Sequence, residues 1–316
     1  MTFFKRYFSD ILSILIATSF GIAAHTAFVS EDILVMMTIS FIFILPLGVG
    51  ALAIWPLMGD NDLNWTKAIL RPWVPCMLFM AVLVAFEAEA WGCVILASPL
   101  VFLLASIGGA VIFAIHKSQL EATNLSLLIF LVSPFALAPL EGQVESPIRE
   151  TLTRVSIQID ATPADVWAQI GNVPDMTAED QSSTWYDLVG VPRPISAEMD
   201  EIELGAVRIA SFEDGLQFRE VVTEMTFEQS VTYSIERVNR ALLPEPLQQI
   251  DGEYLDLKSA RYEIEPLADG TVILHLISEH TLTTQFNAYG AIWTNLIMRD
   301  FQNNLLEVIK TRAESG

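Results

Sequence analysis

The pattern of apolar and polar residues divides this chain into two halves. Up to about residue 140 the apolar residues form long runs, and beyond it they alternate with polar residues at short spacing. A helix needs about 20 mostly apolar residues to cross a bilayer, because lipid cannot hydrogen-bond to free backbone groups. Residues 1–140 are therefore predicted to form an all-α transmembrane bundle of about five spans, near 10–29, 33–57, 70–86, 92–115 and 124–140.

Two of these segments leave an alternative open. The first follows Lys5 and Arg6, as a cleaved signal peptide would, but its apolar run is longer than a usual signal core and further spans follow. We interpret it as an uncleaved span. The fifth segment, 124–140, is short and contains Pro134 and Pro139. If it does not span, the second half of the chain lies on the same side of the membrane as the N-terminus.

The basic residues of the first half predict its orientation, because cytoplasmic loops are enriched in Lys and Arg. All five basic residues precede the first span or lie in every second connection, whereas the alternate connections carry only acidic residues. The N-terminus is therefore predicted to be cytoplasmic, in an inner or plasma membrane. Five spans then place the second half of the chain in the periplasm or outside the cell.

The second half predicts alternating elements of an α+β domain. Residues 141–150 are polar and predict a linker, and 151–316 predict one soluble domain that opens with a strand through Val155 to Ile159. Thr162 and Pro163 have the residue types of a helix start. Strands are predicted at 205–212, 216–225, 231–237, 254–265 and 271–282, with loops before 205 and over 238–253, and a long apolar-faced helix near 285–312. This order predicts a curved antiparallel sheet that grips the C-terminal helix.

The second half resembles the SRPBCC or START-like helix-grip superfamily, which includes bacterial polyketide cyclase/dehydrase-like proteins. The resemblance covers residues 150–312. It rests on the order and spacing of short pieces: IDATPADVW at 159–167, GAVR at 205–208, Gly215 followed by EVV at 220–222, GEY at 252–254 with Arg261 and Tyr262, and DGT at 269–271. It implies an apolar ligand between sheet and helix. Its members include lipid carriers, hormone receptors and aromatases, so the resemblance implies no particular reaction and no catalytic residues.

Composition excludes several classes of function. The net charge is −21, and residues 141–316 hold 30 of the 38 acidic residues but only 12 of the 17 basic ones. An acidic domain repels phosphate backbones, so nucleic acid is not a predicted partner. The two cysteines, Cys76 and Cys93, lie in apolar segments and predict no disulfide framework. The sequence contains no HExxH, P-loop, GxGxxG or GxSxG motif, and no metal or cofactor is predicted.

The predicted hairpin around residues 213–215 brings together the first candidate site residues. This turn pairs Arg208 with Glu220 and Ala210 with Phe218 on one mostly apolar face. Arg208 and Glu220 are then either an ion pair at the cavity wall or a cross-strand pair at the sheet rim. His280 lies on the more apolar face of the last strand, as a cavity residue or as a structural histidine. The candidate ligand-binding residues are Arg208, Phe218, Glu220, Tyr233, Tyr262, His280, Tyr289 and Trp293.

These features favour a membrane-anchored binding module for a hydrophobic small molecule or lipid, because apolar cavities with few polar groups suit such ligands. The predicted partners are the lipid bilayer and this ligand. A cyclase- or aromatase-like enzyme is one alternative, and a membrane sensor or assembly protein is another. His25, the only ionisable residue deep in a predicted span, is either functional or a helix–helix hydrogen-bonding group.

Overall fold

The computed structural model describes residues 3–30, 38–118, 122–174, 176, 188–238 and 254–315, without the side chains of residues 3–6 and 30. The chain forms two compact units, Met1–Ser146 and Pro147–Gly316. The predicted loop over 238–253 lies, apart from its first residue, outside the described part of the chain, as does most of the loop region before residue 188.

The first unit consists of helices, as the apolar runs predict. Its helices are α1 (Phe3–Ser30), α2 (Leu45–Ile54), α3 (Trp65–Leu70), α4 (Trp73–Ala85), α5 (Trp91–Lys117) and α6 (Thr123–Glu141). A π-helical turn precedes α2 and a 3-10 turn follows it, at Ser40–Ile44 and Trp55–Leu57. Five segments are long and apolar enough to cross a membrane: Tyr7–Val29, Ser40–Leu57, Trp65–Ala85, Trp91–Lys117 and Thr123–Glu141. The predicted all-α region of about five spans is confirmed at this level.

Two glycines bring α2 and α5 into backbone contact. A Cβ atom added at Gly50 would lie 1.9 Å from the carbonyl oxygen of Ala105, and one added at Gly108 would lie 2.0 Å from that of Leu47. Only glycine fits at either position. In lipid, helix association depends on packing and hydrogen bonding rather than on a hydrophobic driving force, so small residues at the interface are what permit this approach.

Hydrogen bonds at both ends join α2 to α6. Near one end, Trp55 Nε1 donates to Asn124 Oδ1 at 3.0 Å. Near the other, Ser40 donates from its backbone nitrogen and its hydroxyl to the carboxylate of Glu141, at 3.1 and 2.7 Å. Helix α6 is therefore antiparallel to α2 and extends along its whole length, although Pro134 lies inside it.

In the residues that the structure describes, the second unit is a seven-stranded antiparallel sheet with two α-helices. The strands are β1 (Ile148–Ile159), β2 (Pro194–Glu198), β3 (Val207–Phe212), β4 (Gln217–Thr226), β5 (Ser230–Arg237), β6 (Leu255–Pro266) and β7 (Val272–Thr283), and the helices are α7 (Pro163–Gly171) and α8 (Asn287–Ser315). Their order in the sheet is β1-β7-β6-β5-β4-β3-β2. This is the predicted helix-grip architecture. Only the short strand β2 was not predicted, and β1 begins inside the predicted linker.

Local sequence signals explain the two best predicted elements. The Thr162 hydroxyl accepts a hydrogen bond from the Asp165 backbone N–H and the Asp165 carboxylate accepts one from the Thr162 backbone N–H, which is a complete capping box at the start of α7. In the β3–β4 turn, Asp214 and Gly215 have φ angles of 58° and 77°, a left-handed pair that reverses the chain within three residues. The predicted register, Arg208 opposite Glu220 and Ala210 opposite Phe218, is confirmed.

The packed core of the second unit lies under the C-terminal half of α8. Leu306, Ile309 and Ala313 of α8 pack against Leu274 and Leu276 of β7, together with α7 and the middle strands. Leu306 and Ile309 have no exposed surface. The core is gathered at this end, whereas residues 292–301 in the N-terminal half of α8 are only half-buried or exposed.

Candidate functional site

Six of the eight candidate residues lie on the inner face of the sheet, the face turned towards α8. Cross-strand pairing relates them to the core: Glu220 lies opposite Ile235, Val222 opposite Tyr233, and Tyr262 opposite Leu276. Side chains directly opposite each other in an antiparallel pair share a face. The six are Arg208, Phe218, Glu220, Tyr233, Tyr262 and His280.

Arg208 lies at the centre of a buried network. Its Nε donates to Glu220 Oε2 at 2.5 Å, and its Nη1 donates to the carbonyl oxygen of Ile170 at 2.6 Å. The guanidinium carbon lies 4.0 Å from the ring centre of Tyr233 and 5.7 Å from that of Tyr262. Arg208 is only 4% exposed, so the pair with Glu220 is cross-strand but is not at the sheet rim.

In this network Arg208 and Glu220 carry opposite charges, and the two tyrosines are neutral. Burial is the largest influence on Arg208 and opposes its charge, but Glu220, Tyr233 and Tyr262 together outweigh burial and raise the pKa of the guanidinium. Burial raises the pKa of Tyr233 to about 12 and also raises the pKa of Tyr262, so both phenols are neutral near pH 7. The arginine thus joins α7, through Ile170, to two strands. This geometry supports a structural role more directly than a ligand-orienting one.

His280 is the most unusual candidate. It is 1% exposed, and within the described part of the chain neither ring nitrogen has a hydrogen-bond partner. Burial lowers the pKa of His280 below its ordinary value, so the imidazole is neutral near pH 7. Its cross-strand neighbour Thr151 also has a buried hydroxyl oxygen without a partner among the described residues. Such groups each cost about 1–3 kcal/mol when left unpaired.

Gln302 of α8 extends this polar region and was missed by sequence reasoning. Its Nε2 donates to Ser278 Oγ at 2.8 Å, and its Oε1 is buried with no partner in the described ranges. Two turns earlier in α8, Asn295 Oδ1 accepts a hydrogen bond from Thr153 Oγ1 at 3.1 Å. Both polar residues lie on the sheet-facing side of α8. The signal in the sequence was their seven-residue spacing, two helical turns, which places them on one face.

The two remaining candidates, Tyr289 and Trp293, lie on a different side of α8. Trp293 precedes Gln302 by nine residues, which is half a revolution at 100° per residue. The two aromatic rings contact each other edge to face, with centroids 6.2 Å apart. Tyr289 and Trp293 are therefore not on the fully buried side of α8. That side is formed by Gln302, Leu306 and Ile309.

The inner face has a loosely covered end, which we call the open end. It consists of Phe212, Ile235, Leu255, Leu257 and Phe301, all apolar and all half-buried. Leu255 lies opposite Leu282 and Leu257 opposite His280, so both leucines face the inside of the fold. The Phe212 and Phe301 rings stack at 6.0 Å across the gap between β3 and α8. The open end therefore leaves apolar surface exposed on the inner face of the sheet.

A separate open groove of about 620 Å³ lies beside α7. Its apolar lining includes Trp167, Met199 and Phe227, and Asp200 and Glu201 stand at its rim. None of the eight candidate residues lines it. Among the residues that the structure describes, no three His, Cys, Asp or Glu side chains are placed to hold a metal ion.

In the first unit, His25 has a partner that the sequence did not reveal. Its Nε2 lies 3.0 Å from Glu89 Oε1, and the imidazole is 4% exposed. At the other end of α1, Arg71 pairs with Asp10 at 2.8 Å. Of the two interpretations of His25, this contact supports the hydrogen-bonding group, and its partner lies 64 positions away at the α4–α5 connection.

Comparison with known proteins gives only structural likenesses. No family model matches the chain, and no curated protein matches it. Truncated norcoclaurine synthase from Thalictrum flavum is similar over 54% of this chain and 95% of its own, at 11% identity and a TM-score of 0.34. A protein from Nitrosospira multiformis matches over 51% and 94% at 16% identity and 0.31, and one from Rhizobium leguminosarum over 55% and 100% at 9% and 0.34.

Proposed function

We propose that this protein is a membrane-anchored binding module that holds a hydrophobic small molecule or lipid between the sheet and α8 of its second unit. The observation that carries the proposal is the open end: five inward-facing apolar side chains that are only half-buried. Burying apolar surface contributes roughly 25 cal/mol per Å², so a hydrocarbon ligand that covers these side chains is bound favourably.

The first unit supports the membrane part of the proposal. Five helices are long and apolar enough to span. The two polar contacts of α1, at Asp10 and His25, are 15 residues apart, about 22 Å along the helix. They involve Arg71 at the N-terminal end and Glu89 at the other, in keeping with the alternation of basic and acidic connections. We propose a cytoplasmic N-terminus, five spans and a second unit on the opposite side of the membrane.

The ligand is tested by occupying the open end with a larger side chain. The full chain is purified with bound lipids, and extracts are compared by mass spectrometry between the wild type and Leu257→Trp. Leu152→Trp is the matched control, because Leu152 is 58% exposed on the outer face of β1. The proposal expects a copurifying apolar species that Leu257→Trp loses and Leu152→Trp keeps. A wild-type protein that carries no such species, even after incubation with lipid extracts, would contradict it.

The topology is tested with C-terminal fusions to alkaline phosphatase and to a fluorescent protein in a Gram-negative host. Phosphatase activity without fluorescence is the expected result, because the phosphatase is active only outside the cytoplasm. Fluorescence without phosphatase activity would mean that α6 does not span, and would move the second unit to the cytoplasm. The ligand proposal does not depend on this result.

A further inference from the structure

Four polar side chains meet where β1, β7 and α8 come together, and we call them the polar seam: Thr151, Ser278, His280 and Gln302. Thr151 and His280 are direct cross-strand neighbours. Ser278 is two residues from His280 on the same face, about 7 Å along the strand, and accepts from Gln302 Nε2 at 2.8 Å. Within the described residues, four atoms of the seam lack a partner: Thr151 Oγ1, both His280 nitrogens and Gln302 Oε1.

The polar seam lies at the boundary between the packed core and the open end. On the core side, Leu276 continues the same face of β7, with 2% of its surface exposed. On the other side, the half-buried Leu257 lies directly opposite His280. The seam atoms have almost no accessible surface, so a bound group reaches them only when the side chains around the seam move. The seam is therefore a polar cluster that borders the apolar open end.

The chemistry of the seam selects the kind of group that fits. A neutral imidazole offers one donor and one acceptor, a threonine hydroxyl offers both, and Gln302 Oε1 is an acceptor. The seam itself contains no charged side chain. Arg208, on the same face of the sheet, already donates hydrogen bonds to Glu220 and to the carbonyl of Ile170. A charged group buried here would lose its hydration without a counter-ion, which is strongly unfavourable.

We propose that the polar seam binds the uncharged hydroxyl or carbonyl group of an amphipathic ligand, whose hydrocarbon part lies along the open end. This inference rests on the proposed function, since it names the ligand class of the same site. It explains why these buried polar atoms lack partners among the described residues: they are paired when the ligand is bound.

The test uses photoreactive probes and the full chain in phosphatidylcholine nanodiscs. Three probes share one hydrocarbon chain with a diazirine and differ only at the end: hydroxyl, methyl or carboxylate. Labelled peptides are mapped by mass spectrometry. We expect the hydroxyl probe to label the inner face of β1, β6, β7 and α8 about tenfold more than the methyl probe, as one regained buried hydrogen bond implies. We also expect the carboxylate probe to label it least.

The variants separate the seam from the rest of the domain. His280→Leu should abolish the preference for the hydroxyl probe while methyl-probe labelling persists. His275→Leu is the matched control on the same strand but the opposite face, and should keep the preference. If hydrogen exchange shows that His280→Leu has lost its fold, Gln302→Leu carries the same expectation.

The outcomes distinguish the two proposals. Equal labelling by hydroxyl and methyl probes, or a preference for the carboxylate, overturns the seam inference but leaves hydrophobic binding intact. Loss of the preference in His275→Leu also overturns it. If no probe labels the inner face of the second unit, the binding module itself is wrong, and the seam inference is wrong with it.

Discussion

His275 and His280 lie five residues apart on β7, on opposite faces of the sheet and in opposite hydrogen-bonding states. His275 Nδ1 is 2.6 Å from Ser156 Oγ, and its Nε2 is 3.2 Å from Glu265 Oε2. His280 has no such partner among the residues that the structure describes. Two histidines of one strand therefore allow a satisfied and an unsatisfied imidazole to be compared in the same fold.

Replacing each histidine by leucine should change stability in opposite directions. His275→Leu breaks two hydrogen bonds and should lower the free energy of unfolding by about 1 kcal/mol, a value limited by the exposure of Glu265. His280→Leu removes two buried, unpaired nitrogens and should leave stability unchanged or raise it. Native-state hydrogen exchange of the β7 amides in the ligand-stripped full chain measures both. A large loss of protection in His280→Leu would show that His280 has a partner.

The stability of the second unit should depend on pH through His280. Burial lowers the pKa of His280 in the folded state, while the unfolded side chain titrates near 6.5. Above that pH the imidazole is neutral in both states and contributes no pH dependence. Below it the unfolded chain binds a proton that the folded chain does not, so stability falls as the pH is lowered through 6.5.

His280→Leu isolates this effect, because every other titrating group, including His275, stays in place. The stability of the variant relative to the wild type should increase between pH 7.5 and pH 5. The readout is the difference in exchange protection of β1 and β7 at the two pH values. A difference that stays constant, or that changes with the opposite sign, would show that His280 is protonated in the folded protein.

The buried pair of Arg208 and Glu220 should respond differently from an exposed pair on the same sheet. Arg208→Met leaves a buried carboxylate and an unpaired carbonyl at Ile170, and should cost about 3–5 kcal/mol. Arg219→Met breaks the exposed pair with Glu236 and should cost at most about 1 kcal/mol.

A double-mutant cycle completes the comparison. Arg208→Met with Glu220→Leu should be more stable than Arg208→Met alone, because no charge is left buried. Exchange protection of the β3 and β4 amides reports each variant. If Arg208→Met binds lipid normally and loses little protection, the arginine does not organise the core.

Gly50 should be intolerant of any side chain. Gly50→Ala would place a methyl group 1.9 Å from the Ala105 carbonyl oxygen, which forces α2 and α5 apart. The expected result is a clear loss of thermal stability of the first unit in detergent. Gly59→Ala is the control, since nothing lies within 4 Å of a Cβ added there. Equal melting temperatures for the two variants would contradict the close packing of these helices.

Local signals predicted the sheet well because they are read over a few residues. The turn at 213–215 fixed the pairing of Arg208 with Glu220, and two-residue alternation placed His280 on the inner face. The sequence did not predict strand β2, because this strand is only five residues long, begins at Pro194 and follows a loop without clear alternation. It is an edge strand, which has less need of a strong apolar pattern.

Long-range pairings could not be predicted, because no single-sequence pattern encodes them. His25 and Glu89 are 64 positions apart, and Gln302 meets Ser278 only because α8 lies across β7. The orientation of Trp293 could not be predicted for a different reason. Aromatic spacing identified an apolar stripe on α8 but not which side of the helix contacts the sheet. A polar residue, Gln302, occupies that contact.

The glycine contacts between α2 and α5 have a mechanical consequence. With Gly50 against Ala105 and Gly108 against Leu47, neither helix can turn about its own axis without driving a side chain into the other's backbone. These two helices therefore form a rigid pair. A conformational change that transmitted a signal across the bilayer would have to shift helices such as α1 or α6 relative to this pair. It could not rotate α2 against α5.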